Sequence, residues 1–212
     1  MLREGSIRKL RDLPAPAERA PLGTPLPLAE SVPAGRLIEL SGDGRSARTT
    51  AAVSLVIRAQ EAGEPVLWIQ PESGTLYPPD LAASGVDLDA LVVIHVPPLR
   101  GALGIVRAAE LVLRSGAFGL VVGDVTAGVP RGDAWQSRLA ALARQHASRV
   151  VLLSDSSVGE ASLGPMVSMR IEPIRERRAP GRFVVTYRLL KDKTGGTTAP
   201  SPDLRRAPCG LP

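Results

Sequence analysis

The chain has 212 residues, 44% of them hydrophobic, enough for one full core, and no run is long and apolar enough to cross a bilayer as a helix. One cysteine, Cys209, and two histidines, His95 and His146, leave no disulfide framework and no cluster with metal-ligand spacing. A net charge of +5 and a pI near 10.1 permit contact with nucleic acid or an acidic partner, but at 3% aromatic content the chain lacks stacking platforms for single-stranded bases.

Met1 to Lys9 lacks the apolar core of a signal peptide, so a cytoplasmic location is expected. Leu2, Ile7, Leu10 and Leu13 recur among charges at loosely helical spacing interrupted by Gly5, a short arm with one apolar stripe. Pro14 to Pro33 is proline-rich and favours extended backbone. Residues 1–34 therefore form an arm and linker, and the core begins near Gly35.

From there strand and helix signals alternate. Apolar runs at Arg36–Leu40, Val66–Ile69, Val92–Val96, Phe118–Val122 and Val150–Leu153 predict strands. Helical spacing covers Arg48–Ala62, Leu103–Leu113 and Trp135–His146, with stops at Gly63 and Ser115-Gly116. This order implies an α/β protein with a mostly parallel twisted sheet flanked by helices. After Leu153 the period changes: Met166–Ile171 and the alternating Arg182–Leu190 flank a turn at Ala179-Pro180-Gly181, so a C-terminal antiparallel hairpin is expected to close the sheet edge.

The core ends at 194, and residues 195–212 lack a core-forming pattern. They read as a disordered tail in which Leu204, Arg205 and Arg206 between prolines offer a segment that orders on a partner. Basic residues crowd the C-terminal third, from Arg170 through Arg188, Lys191 and Lys193 to Arg206. Contact with DNA there would be weak and confined to phosphates.

The turn from Leu37 to Thr50, LIELSGDGRSARTT, has the layout of a phosphate-binding loop between strand and helix. In the form G-x-x-x-x-G-K-[ST], backbone N–H groups wrap the phosphates, a lysine reaches the outer ones and a hydroxyl holds Mg²⁺. Gly42 and Thr49 keep their places, whereas Ala47 and Arg48 stand where glycine and lysine belong. A methyl intrudes where the backbone must approach a phosphate, and a planar guanidinium does not replace a compact ammonium.

These motifs, in this order, resemble the RecA recombinases over most of residues 22–195. PAGRLIELSGDGRSARTT resembles their strand and phosphate loop, VLWIQPE the next strand with its glutamate, and SGVDLDALVVIHVPP the loop and strand after it. FGLVVGD resembles the Walker B strand and YRLLKDKTG the late strand with two lysines. The resemblance implies a nucleotide site from Gly42, Gly44, Ala47, Arg48, Thr49 and Thr50, with Glu72 polarising the attacking water and Asp124 on the Mg²⁺ side. Lys191 and Lys193 would reach a neighbouring subunit's nucleotide, and the N-terminal arm would dock on that neighbour. Read alone, Glu72 also suits a cap, Asp124 the end of a buried strand, and the lysines the blocking of a sheet edge.

The departures point further. Beyond Ala47 and Arg48, the two stretches corresponding to DNA-contacting loops, Val125–Ala134 and Ser154–Pro165, are short, and the second carries Asp155 and Glu160, which repel phosphate. A RecA-like core so altered resembles the ImuA group of mutasome accessory proteins. That resemblance implies a vestigial nucleotide site with no catalytic residue, cofactor or metal, and a non-catalytic role in error-prone translesion synthesis during the SOS response to DNA damage. It implies as partners an ImuB-like protein, an error-prone C-family DNA polymerase and RecA. The alternatives are an active RecA-type ATPase or recombinase, and a RecA-like SOS inhibitor of cell division.

Overall fold

A computed structural model of the chain describes residues 26–74, 76–126, 128, 133–195 and 198–206. Helices are α1 (Leu28–Ser31), α2 (Arg48–Glu61), α3 (Pro78–Ala83), α4 (Gly101–Arg114) and α5 (Ala134–His146). Strands are β1 (Arg36–Ser41), β2 (Val66–Pro71), β3 (Leu91–Val96), β4 (Leu120–Asp124), β5 (Arg149–Ser154), β6 (Met169–Ala179), β7 (Arg182–Asp192) and β8 (Asp203–Arg206).

They form one eight-stranded sheet in the order β3-β2-β4-β5-β1-β6-β7-β8. The pairings from β3 to β6 are parallel, and those of β6 with β7 and β7 with β8 antiparallel. The fold is the expected α/β architecture. The apolar runs became central strands because both faces are covered, which removes the need for alternation. Ile38, Leu40, Trp68, Val122 and Val151 pack on the α2 side, while Leu37, Leu67, Val121, Val150 and Leu152 pack on the α4 and α5 side.

Three expectations need correction. The linker does not stop short of the core: Leu28 and Val32, on and just after α1, are buried against α2, so ordered packing begins before Gly35. β6 runs on to Ala179 rather than ending near Ile171. Its outer half is arginine-rich and exposed, so no hydrophobic period marked it, and Pro173 is tolerated because pairing with β1 stops at Ile171.

The tail is not without structure throughout. Asp203–Arg206 pair with Arg182–Val185 as β8, which becomes the sheet edge in place of the hairpin. Four polar-rich residues carry no core signal, but ladder bonds and a hydrogen bond from Arg205 Nη2 to Ser54 Oγ at 2.7 Å hold them. The arm residues Leu2, Ile7, Leu10 and Leu13 lie outside the described residues. Among the described residues no helix is long and apolar enough to cross a membrane.

Candidate functional site

β1 delivers the chain into the turn at Gly42, whose φ of +146° and whose crowding by Ser46, 2.6 Å from where a Cβ would stand, require glycine. The next amides bond inside the protein. Arg45 N–H donates to Asp43 Oδ1 at 2.8 Å and Ser46 N–H to the Asp43 carbonyl at 2.9 Å. Ala47 N–H donates to the Pro173 carbonyl on β6 at 3.0 Å. Phosphate loops point such N–H groups at the anion. Asp43 and Pro173 thus organise this turn, and Ala47 is buried at the start of α2 without a side-chain cap.

Arg48 opens α2, yet its guanidinium points back to the end of β5. Its Nη1 donates to the Ser154 carbonyl, and its Nη2 lies 2.6 Å from Asp155 Oδ1. Its side chain is 11% exposed while Asp155 is 55% exposed, so the cation is held under its partner. Gly44 and Thr49 are exposed. Thr49 and Thr50 line a cleft of about 170 Å³ with Tyr77, Asp80, Phe183 and Arg205.

The other implied residues reach this loop unevenly. Glu72 follows β2, is exposed, and bonds through its backbone N–H to the Val96 carbonyl at 3.0 Å. Asp124 closes a local turn: its Oδ1 accepts from Thr126 N–H at 3.0 Å and Thr126 Oγ1 at 2.6 Å. Lys191 Nζ donates to Ser162 Oγ and the Gly164 carbonyl, both at 2.9 Å, and Lys193 Nζ to the Pro165 carbonyl at 2.6 Å. Burial, then the charge of Lys193, lowers the Lys191 ammonium below the usual lysine range, against the opposing pull of Glu39. Backbone bonds tie Lys193 through Ser168 to Leu37, near the start of β1, so the lysines stand away from their own chain's loop. Among the described residues no group of three or more His, Cys, Asp or Glu is placed to hold a metal ion.

Sequence reasoning missed the polar network beneath the site. Glu39 is fully buried in β1, accepts from Ser154 Oγ at 2.7 Å and from Leu163 N–H at 3.0 Å, and lies 3.6 Å from Arg170 Nε. Arg170 donates to Ser41 Oγ at 2.9 Å and to the carbonyls of Ser156, Ser157 and Glu160. Together with Lys191 it pins the 155–164 segment to the sheet. One signal was available: a charge inside an apolar strand run, as in LIELS and SMRIE, demands a buried partner.

Comparison with known proteins agrees with this fold. The RecA N-terminal domain family matches residues 24–154. "Protein RecA" of a Nocardioides strain is 39% identical over 137 residues, covering 61% of this chain and 38% of that protein, and the RecA of Kineococcus radiotolerans is 37% identical over 137 residues. The match therefore spans well under half the length of these relatives. The crystal structure of the RadB recombinase superposes with a TM-score of 0.56 at 18% identity, over 82% of this chain and 88% of RadB, which is a likeness of fold. The family match covers more than half of the 212 residues, and the chain belongs to the RecA N-terminal domain family.

Proposed function

We propose that this RecA-family chain serves DNA repair as a platform that does not turn over nucleotide, an accessory of error-prone translesion synthesis of the ImuA type. The observation that carries the reading is the engagement of Arg48 by Asp155 and the Ser154 carbonyl. The residue standing in for the phosphate-loop lysine has its charge neutralised within the chain, and the Ala47 N–H beside it is given to Pro173. Stabilising the charge that develops on a transferred phosphoryl group needs both a free cation and free donors. Its partners would be an ImuB-like protein, a C-family polymerase and RecA.

A second reading, an active RecA-type ATPase or recombinase, is favoured by the 39% identity to a protein named RecA. It requires Arg48 to leave Asp155 and do the work of lysine. Equilibrium binding of a fluorescent ATP analogue and ATP turnover with and without single-stranded DNA separate the two. The platform reading expects neither tight binding nor turnover; turnover that disappears in Glu72→Gln establishes the enzyme instead. Capture with the intact chain as bait in DNA-damaged cells then identifies the partners.

A further inference from the structure

The antiparallel end of the sheet has one covered face and one bare one. Phe183, Val185 and Tyr187 of β7 face the core beside α2. By alternation Arg182, Val184 and Thr186 face the other way. In register with them stand Ile174 and Glu176 of β6 and Leu204 and Arg206 of β8. The cluster beneath α4 and α5 on that side takes no side chain from β6, β7 or β8, so this face has no helical cover. Leu204 is 62% exposed, with the half-buried Val184 directly across the ladder.

Charge distinguishes this face from an ordinary solvated sheet. Glu172 pairs with Arg188 at 3.0 Å and Glu176 with Arg178 at 3.2 Å. Arg182 and Arg206 lie directly opposite each other, and among the described residues neither has an ion-pair partner. Like charges directly opposite on neighbouring strands destabilise a ladder, so folding alone favours an acid at one of these positions. An anion between them relieves that repulsion.

The neighbours select the kind of anion. A polyanion would satisfy the two arginines and leave Val184 and Leu204 wet, with Ile174 one pair further along the same face. A peptide with an aliphatic side chain next to a carboxylate covers both. β8 is the last strand of the sheet, and among the described residues none pairs with its outer edge, so an extended segment has ladder groups to add to. Leu204 and Arg206 are two residues apart and share a face, so an added strand meets them with residues i and i+2.

We propose that this face and edge, centred on Val184, Leu204, Arg182 and Arg206, dock an extended partner segment carrying an aliphatic residue and an acidic residue two positions apart. The docking surface is independent of whether the phosphate loop turns over nucleotide.

The test uses the intact chain and three probes of similar length: a synthetic Val-x-Glu peptide, the same peptide with Ser for Val, and oligothymidine. The Val-x-Glu peptide is expected to bind and to shift amide resonances of residues 182–186 and 203–206. Its affinity should fall about tenfold in Arg182→Glu and in Leu204→Ser, a change of about 1.4 kcal/mol. Arg182→Glu should at the same time raise the melting temperature, because it converts the facing arginines into an ion pair; a variant that merely misfolds cannot do this. Equal binding of the Ser peptide, tighter binding of oligothymidine at these residues, resonance shifts elsewhere, or affinity unchanged by Arg182→Glu overturns the proposal.

Discussion

Arg48 and Asp155 meet at 2.6 Å, so the first residue of α2, just after the turn at Gly42, is bound to the residue that follows β5 on the neighbouring strand. With Asp155 about half exposed, the pair contributes no more than about 1 kcal/mol to stability. Asp155→Asn should therefore lower the melting temperature only slightly. It should raise affinity for a fluorescent ATP analogue, since the opposing charge is removed and Arg48 is then held only by neutral acceptors, the Ser154 carbonyl among them. Unchanged affinity would locate the block at the remaining bond of Arg48 to the Ser154 carbonyl or at Ala47, whose N–H is committed to Pro173.

Arg170 is expected to be the stability determinant of the region. Arg170→Ala leaves the fully buried Glu39 without its cation and strips the donors from three carbonyls of the 155–164 segment. Removing one partner of a buried pair costs about 3–5 kcal/mol. Urea unfolding should show a loss of that size, and hydrogen exchange should show faster opening of residues 156–163.

Tyr187 buries its hydroxyl with no hydrogen-bond partner among the described residues. Burial first, then the charge of Asp203, raises its pKa well above the ordinary 10.0, with Arg205 opposing. The folded state holds the phenol neutral while the unfolded chain ionises, so this contribution is complete below pH 10 and is lost as pH climbs beyond it. Tyr187→Phe removes an unsatisfied buried group and should stabilise the chain by about 1 kcal/mol at neutral pH. The alkaline limb of the unfolding profile should move to higher pH.

Lys191 has the opposite sign. Its lowered pKa means that the unfolded chain binds more protons between the folded value and the ordinary 10.5, so stability rises with pH across that window. Lys191→Met should abolish this rise in melting temperature as pH approaches the ordinary 10.5 from below. A profile as steep as that of the unchanged chain would assign the rise to another group.

The three long helices and the parallel strands from β1 to β5 were legible because burial is written locally, whereas the short α1 and α3 were not. Leu120–Asp124 and Arg149–Ser154 are short apolar runs between helical periods, and such runs have one stable use in a doubly covered sheet. Gly42 was legible for a similar reason, since a sharp turn from strand to helix needs a residue free of Cβ. β8 and the outer half of β6 were not, because partly exposed strands bury too little to leave a hydrophobic period, and their ladder bonds belong to the backbone.

By itself the sequence determined the fold class, the strand-to-helix turn at Gly42 and the presence of Ala47 and Arg48 at the start of its helix. Only the tertiary structure decided where those two residues turn. Ala47 meets Pro173, and Arg48 meets Ser154 across 106 positions of chain, partners that no local pattern announces. The physical reason is that a donor in a tight turn bonds to whichever acceptor the sheet order places beside it. Here that order sets β1 between β5 and β6.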